Sequence, residues 1–286
     1  YVFFRFQRVS MPIRTGILVG LIGMYYSSIT PAATGGQPMQ IYALKKRGVP
    51  PGISSSALAV KFFCWQCAML LLGAVLWMMH PVLVREKMLA GVWVLLTGFL
   101  LNGLIVVGVL LLAISRGVVR ALIIFFVNLA AKVRLVKDKA QTASKFDAAL
   151  DDFHSSVDML TGHPFQFLVL FTMSLLQVTA LMSAIYFVYR GLGQKGAPYM
   201  HLLTMQTMLY IAASFTPLPG ASGAQEGGFY LFLGGFFPQN IVFAAMFVWR
   251  FVTYYMSIII GFIGVMVDST RKAPPKVGSL PGDVDV

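Results

Sequence analysis

Long apolar stretches that contain no charged residue alternate with short charged segments along the chain of 286 residues. The uncharged stretches cover residues 15–44, 62–79, 88–115, 164–189, 196–225, 227–249 and 251–267. A helix needs about 20 mostly apolar residues to cross the hydrocarbon layer of a bilayer, and most of these stretches reach or approach that length. The pattern therefore predicts an all-α fold, a polytopic membrane helical bundle.

Four segments predict helices that each cross the membrane once: 54–79, 88–115, 165–189 and 239–267. Two further segments are interrupted near their middles. Residues 27–38 contain two prolines and two glycines, and residues 214–228 contain two prolines and four glycines. Proline removes a helix hydrogen bond and glycine lowers helix propensity, so neither segment should be one continuous helix. We therefore predict two re-entrant hairpins, 15–45 and 199–236.

Charge gives these elements a direction. The chain is 58% hydrophobic and 11% charged, whereas a soluble domain is about 25% charged. Sixteen basic residues lie in segments 1–14, 45–53, 116–162 and 268–286, and only four lie in the loops on the other side. By the positive-inside rule, the basic segments face the cytoplasm. The net charge of +12 is thus explained by basic segments on the cytoplasmic side, and we expect no nucleic-acid partner. We expect a multi-pass protein of the bacterial plasma membrane.

The two interrupted segments resemble each other. Ser-Ile-Thr-Pro, which ends at Pro31, matches Ser-Phe-Thr-Pro, which ends at Pro217, and small residues, Gly and Gln follow each match. The charge pattern makes the first hairpin enter from the cytoplasm and the second from outside, which predicts an inverted repeat. Paired, interrupted segments of this kind indicate the binding site of a transporter. The alternative interpretation is that Pro and Gly only kink two packed helices.

These boundaries divide the chain into one transmembrane domain, 1–267, and a flexible cytoplasmic tail, 268–286. Residues 1–115 form the first half of the domain and residues 163–267 the second. Between them, 116–162 is predicted to be a cytoplasmic amphipathic linker, because apolar residues share one helical face opposite a run of aspartates.

Two charged residues in the second half are candidates for function. Glu226 is the only carboxylate between Asp158 and Asp268, and Arg250 lies 12 residues beyond Pro238. At 1.5 Å per residue Arg250 is roughly 18 Å along its helix, near the middle of the bilayer. An unpaired charge there costs at least about 2.5–3.5 kcal/mol. We therefore expect the two either to pair or to face a polar cavity, as part of a binding site or as a lock on the second hairpin.

Other candidates involve the first half and the backbone. Lys61 either snorkels to the cytoplasmic surface or contacts a phosphate. The exposed amides around Gly35 and Gly36, and those of 220–228, are candidates for binding an anion at the ends of half-helices.

Signals for enzymatic chemistry are missing from the sequence. Cys64 and Cys67 form a C-x-x-C inside a predicted helix, where a packing role is expected. The segment 191–196 does not match a phosphate-binding loop, and the four histidines lack metal-ligand spacing. We therefore expect no catalytic residue, no metal and no cofactor.

At the two interruptions the chain resembles the lysylphosphatidylglycerol synthase transmembrane region, the flippase-like domain of the multiple peptide resistance factor. The resemblance rests on Thr30–Pro38, Thr216–Gly228 and the run Trp249–Tyr255. It implies that a phospholipid, such as phosphatidylglycerol or its lysyl derivative, moves between leaflets, a step linked to resistance against cationic antimicrobial peptides. It implies no aminoacyl transfer, because the tRNA-dependent synthase domain of bifunctional members is absent from these residues. Members carry more helices before the first hairpin, so we expect further sequence before Tyr1.

Taken with the interruptions, the resemblance gives a set of substrate-binding candidates: Thr30, Pro31, Gly35, Gly36, Gln37, Lys61, Thr216, Pro217, Gly220, Gly223, Gln225, Glu226, Arg250 and Tyr254. Members often have acidic residues in the helix after the first hairpin, where this chain has Lys61. The identity of the lipid headgroup therefore stays open.

Three functions remain open from the sequence. The first is a lipid translocator, with the bilayer and a phospholipid as partners. The second is an ion-coupled carrier of a small anionic solute. The third is a non-catalytic membrane partner that presents substrate to a separate lysylphosphatidylglycerol synthase. A homodimer and association with that synthase both remain open as further partners. A lateral opening to the bilayer would favour a lipid, and a sealed cavity would favour a solute.

Overall fold

Most of the described residues are helical, and the described residues contain no strand. The structure is a computed structural model that describes residues 1–7, 9–87, 92–115, 117, 121, 154, 157–158 and 162–270. The helices are α1 Val2–Phe6, α2 Ile13–Ile29, α3 Gly36–Lys45, α4 Pro51–Met79, α5 Pro81–Lys87, α6 Val92–Ile114, α7 Pro164–Gly191, α8 Tyr199–Ala213, α9 Ala224–Gly228, α10 Val242–Arg250 and α11 Met256–Thr270.

Short turns of other helical types join several of these elements. One-turn 3₁₀ helices occupy Pro31–Ala33 and Pro219–Ala221. A π-helical turn, Phe229–Leu233, and a 3₁₀ turn, Gly234–Phe236, extend α9. A second π-helical turn, Phe251–Tyr255, connects α10 to α11. Such π-helical turns often mark functional sites.

Among the described residues, four helices are long and apolar enough to cross a membrane: Pro51–Met79, Val92–Leu111, Pro164–Gly191 and Val242–Thr270. They correspond to the four spans predicted from the sequence and confirm an all-α polytopic membrane protein. Two of them begin with proline at the first helical position, where the missing N–H has no partner to lose. The helix α4 therefore begins at Pro51, three residues earlier than predicted.

The first interrupted segment forms a helical hairpin, hairpin 1, from α2 and α3. The two helices run antiparallel, because the Gln40 side-chain amide donates to the Val19 carbonyl at 3.1 Å while Gly36 lies against Ser27 and Gly23. Any larger residue at Gly36 would meet the Ser27 hydroxyl. Small residues thus let the two helices approach closely. Re-entry of this hairpin into the membrane remains a prediction.

The second interrupted segment forms hairpin 2, in which α8 packs against α9 and its π-helical extension. Gly228 lies directly against the Leu209 side chain. Phe229 stacks obliquely on Trp249 at 5.2 Å between ring centroids and also contacts Phe237. Hairpin 2 is therefore enclosed in aromatic packing, and most of α8 is buried.

The two halves of the chain are interlocked. The helix α11 packs mainly along α2 of hairpin 1, where Gly261 and Gly264 face Tyr25 and Leu21. The helix α4 packs along α8 of hairpin 2 and along α7. Each hairpin thus receives a long helix from the other half of the chain.

Contacts at the two ends of the bundle agree with the grouping predicted from charge. At one end Arg47, which follows hairpin 1, forms an ion pair with Asp268 of the last helix. At the other end the His80 and His201 rings are 5.1 Å apart between centroids. Residues 47 and 268 therefore share one face, as the basic segments require, and the assignment of that face to the cytoplasm stays a prediction.

The predicted amphipathic linker, 116–162, falls almost entirely outside the described residues, and so does the predicted tail beyond Thr270.

Candidate functional site

The unwound segments of the two hairpins, break 1 (residues 30–35) and break 2 (residues 214–223), contact each other. The Ala32 backbone N–H donates to the Pro217 carbonyl at 3.2 Å. The Tyr254 hydroxyl, from the π-helical turn of the last span, donates to the Ser28 carbonyl at 3.0 Å. The unwound backbone of each half therefore meets the other, at a point that also lies against the last span.

The breaks share one local conformation. In each, an extended residue, Thr30 or Leu218, precedes a one-turn 3₁₀ helix that begins with proline. The next two residues have positive φ: 49° and 56° at Ala32 and Ala33 in the first break, and 60° and 51° at Gly220 and Ala221 in the second. Alanine rarely adopts this conformation, which costs roughly 1–2 kcal/mol per residue. Such strain persists where the surrounding structure holds it and is common at functional sites.

The hydrogen bonds of the two breaks match as well. The Thr34 hydroxyl donates to the Pro31 carbonyl at 2.9 Å, and the Ser222 hydroxyl donates to the Pro219 carbonyl at 2.8 Å. By backbone conformation Pro31 is therefore equivalent to Pro219. The sequence match that paired it with Pro217 is displaced by two residues.

The signal that carries this equivalence is present in the sequence. Residues 31–37 read Pro-Ala-Ala-Thr-Gly-Gly-Gln, and residues 219–225 read Pro-Gly-Ala-Ser-Gly-Ala-Gln. Five positions share proline, alanine, a hydroxyl residue, glycine or glutamine in the same order. The Ser-x-Thr-Pro match is shorter and gives a register that differs by two residues.

Arg250 is buried and its charge is balanced within hairpin 2. The residue is 6% exposed. Its Nε donates to Glu226 Oε1 at 2.6 Å, and its Nη2 donates to the Gly220 carbonyl at 3.1 Å and to the Ser222 hydroxyl at 3.4 Å. A guanidinium suits this role because its donors form a fixed fork. Of the two arrangements expected from sequence, the structure thus shows the pair.

Glu226 also holds the start of α9. Its second carboxylate oxygen accepts a hydrogen bond from the Gly223 N–H at 2.6 Å. Gly223 has φ of 86°, which favours glycine. One carboxylate thus connects the bend at Gly223 to the guanidinium of Arg250.

Tyr254 also contacts this group of residues. The Arg250 guanidinium lies 4.6 Å from the centroid of the Tyr254 ring, within cation–π range. Gly220 packs against the same ring, so that a Cβ at position 220 would overlap it. Gly220, Gly223, Glu226, Arg250 and Tyr254 therefore lie together, and their predicted contact with a substrate stays a prediction.

The predicted residues of break 1 are more exposed. Thr30 accepts a hydrogen bond from the Gly35 N–H at 2.9 Å, and its hydroxyl donates to the Tyr26 carbonyl at 2.6 Å. Pro31 and Gln37 are exposed, whereas Gly36 is buried. Break 1 therefore holds its shape through Thr30.

In hairpin 2, three other candidates differ in burial. Thr216 is half-buried and its N–H donates to the Ala213 carbonyl at 3.1 Å, while Pro217 is exposed. Gln225, the equivalent of Gln37, is 5% exposed, and its side-chain carbonyl oxygen has no hydrogen-bond partner among the described residues.

Lys61 stands apart from these residues. It lines a cavity of about 320 Å³ at the base of hairpin 1, whose wall also includes Gln40, Ser174 and Gln177. Lys61 lies ten residues into α4, which at 1.5 Å per residue is roughly 15 Å along the helix. A helix that began at Ser54, as predicted, would place Lys61 only seven residues from the start of the helix.

A series of hydrogen-bonded polar side chains inside the bundle was not predicted from the sequence. The Gln66 amide donates to Asn102 Oδ1 at 2.8 Å, and the Asn102 amide donates to the Gly98 carbonyl at 2.8 Å and to the Ser214 hydroxyl at 2.9 Å. This series connects α4 and α6 to the start of break 2. An amide in the middle of an apolar span, as at Asn102, was the available signal, because such groups need partners in lipid.

Metal-binding chemistry finds no support in the residues described. They contain no group of three or more His, Cys, Asp and Glu side chains that could hold a metal ion. Cys64 and Cys67 are free thiols, and Cys64 is buried in the apolar core around hairpin 1.

Comparison with known proteins agrees with the resemblance found in the sequence and with a membrane protein. The family model of the lysylphosphatidylglycerol synthase TM region matches residues 2–261. A curated relative, a UPF0104 membrane protein of Archaeoglobus fulgidus, is 24% identical over 268 residues that cover 86% of this chain and 74% of the relative. No solved structure matches the chain. The match over most of the chain shows that this protein belongs to the lysylphosphatidylglycerol synthase transmembrane-region family.

Proposed function

We propose that the protein translocates a phospholipid between the two leaflets of the membrane. The observation that carries this proposal is the contact between two unwound backbone segments, Ala32 against Pro217, within a bundle of apolar spans. Non-helical backbone at membrane depth is tolerated only where protein buries it or where it lines a wet cavity. Family membership adds a link to membrane lipids.

In this proposal the breaks provide a polar route for the headgroup, while the acyl chains stay in the bilayer. Residues 31–34 and Ser214, Pro217 and Gly223 are exposed, so backbone groups and hydroxyls are accessible to a headgroup. The amino-terminal end of α3 begins at break 1, and helix amino-terminal ends favour anions. The two hairpins would act as a re-entrant, inverted pair that opens to opposite faces.

The ion pair of Arg250 and Glu226 would hold break 2 in its present shape. Because Arg250 contacts both Gly220 and Glu226, a movement of break 2 away from the last span has to rearrange these bonds. We therefore assign the pair a positioning role in the transport cycle.

The other functions predict different behaviour. A carrier of small anionic solutes would show no lipid exchange, and a substrate-presenting partner of a synthase would work without Arg250 and Glu226. The bacterial plasma membrane as location, phosphatidylglycerol or its lysyl derivative as substrate, and a homodimer all remain parts of the proposal.

Leaflet exchange of labelled phosphatidylglycerol in proteoliposomes tests the proposal directly. Wild-type protein should exceed empty vesicles, and Glu226→Gln and Arg250→Ala should each lower the rate by about tenfold or more, a barrier change of at least about 1.4 kcal/mol. Lys195→Gln, in an exposed loop, is the control and should match wild type. Folded wild-type protein that exchanges no anionic or aminoacylated lipid would refute the proposal.

A further inference from the structure

The cavity beside Lys61 lies at the base of hairpin 1, away from the breaks. The first residues of the chain, α2, the carboxyl-terminal part of α3, the first third of α4 and the first half of α7 form its walls. Its volume, about 320 Å³, is at the lower end of the range for small-molecule sites. None of its lining residues belongs to the group around Arg250, so the cavity is a separate feature.

Lys61 brings an uncompensated charge to this cavity. Its ammonium forms no hydrogen bond or ion pair with any described residue. A cation inside a membrane span is costly and normally pairs or faces a functional cavity. Arg250, by contrast, is already balanced by Glu226. Of Lys61 and Arg250, Lys61 is therefore the one with a charge to offer a ligand.

The other polar groups of the cavity differ in what they have left to offer. Gln40 donates to the Val19 carbonyl and Ser174 to the Leu170 carbonyl. Gln177 forms no hydrogen bond within the part of the chain that the structure describes. An ammonium and a free amide thus both line the cavity, and this combination suits the oxygens of a phosphate ester.

The cavity has a buried floor and an open mouth. Val19, Ala57 and Leu58 on the floor are buried, whereas Lys61, Met173 and Gln177 are exposed. Met173 and Gln177 lie on the membrane span α7, so the mouth opens beside a span. Such an opening admits a headgroup whose acyl chains remain in the bilayer, and apolar floor residues would contact the glycerol and upper chain carbons.

We propose that this cavity is a binding site for the phosphate ester of an anionic phospholipid, with Lys61 paired to the phosphate and Gln177 donating to it. The inference rests on the proposed function and deepens it, because it separates the residue that selects an anionic headgroup from the Arg250–Glu226 pair that holds break 2.

Equilibrium binding of lipid to the purified full chain in neutral detergent tests the site without transport. Phosphatidylglycerol bound per protein is measured by native mass spectrometry for wild type, Lys61→Gln, Lys61→Arg and the control Lys195→Gln. Lys61→Gln should weaken binding by about tenfold, or about 1.4 kcal/mol, while Lys61→Arg and Lys195→Gln should bind like wild type. Equal affinity of Lys61→Gln and wild type, with thermal unfolding unchanged, would overturn the proposal.

Competition separates a lipid phosphate from a free one. Diacylglycerol, which lacks the phosphate, should bind weakly and equally to wild type and Lys61→Gln, and millimolar inorganic phosphate should not displace phosphatidylglycerol. Displacement by inorganic phosphate that depends on Lys61 would assign the cavity to a soluble anion and overturn the lipid site. Because binding is measured without translocation, a failure here leaves the leaflet-exchange result of the Arg250 and Glu226 variants standing.

Discussion

At the scale of single residues, the molecule separates two uses of positive charge inside a membrane. Arg250 donates to a carboxylate, a carbonyl and a hydroxyl, all within hairpin 2. Lys61 faces a cavity with no such partner in the described structure. A guanidinium braces several acceptors at fixed angles, whereas an ammonium acts as a point charge that a mobile ligand can approach.

Gly220 provides a prediction at this scale. Its φ is 60° and the Tyr254 ring occupies the space of a Cβ. Gly220→Ala should therefore lose at least about 1–2 kcal/mol from the backbone conformation alone, with a lower midpoint of thermal unfolding in detergent. Gly227→Ala is the matched control, because nothing lies within 4 Å of its Cβ position. Equal unfolding midpoints for the two variants would contradict the prediction.

At the scale of elements, close helix contact depends on glycine pairs. A Cβ at Gly261 would lie 2.8 Å from the Tyr25 backbone nitrogen, so α11 and α2 touch almost backbone to backbone. Helix pairs in membranes commonly associate through small residues in this way. The contact holds hairpin 1 against the last span.

Gly261→Ala tests that contact. Overpacking of this kind costs about 1–3 kcal/mol, because backbone has to move. The variant should unfold at a lower temperature, and Gly108→Ala, in a span with open space around the glycine, should unfold like wild type. If both alanines behaved alike, the contact between α11 and α2 would not limit stability.

The elements also show what the sequence could and could not predict. Continuous spans and the two breaks follow from hydropathy and from Pro and Gly, because both effects are local. The register of the breaks depends on positive φ at Ala32, Ala33 and Ala221, which tertiary contacts impose on residues with no such preference. The sequence predicted that Arg250 would either pair with Glu226 or face a polar cavity. A buried charge needs a compensating group, but the sequence alone does not show which group provides it.

At the scale of the whole molecule, one end of the bundle joins Arg47 to Asp268 and the other joins His80 to His201. The cavity of Lys61 was not predicted, because it arises where α4, α7 and hairpin 1 meet, and no single segment contains it. A cavity that forms between distant segments leaves no pattern within any one of them, so it is difficult to predict from the sequence.

Membrane orientation can be measured at this scale. In a background of Cys64→Ser and Cys67→Ser, single cysteines at Lys46 and Lys195 report on the two ends, and both positions are exposed. By the positive-inside rule, a membrane-impermeant thiol reagent should label Lys195→Cys in intact cells, and Lys46→Cys only after permeabilisation. The opposite labelling pattern would reverse the predicted orientation.

The interlocked packing has a consequence for synthesis. The helix α2 ends at Ile29, but its main neighbour, α11, begins only at Met256. At 5–20 residues per second, hairpin 1 waits roughly 10–50 s on the ribosome before that neighbour can reach it. During this interval the face of α2 that carries Leu21 and Tyr25 has only lipid or the insertion machinery to cover it. This protein therefore depends on the insertion machinery or on lipid more during its synthesis than after the bundle has formed.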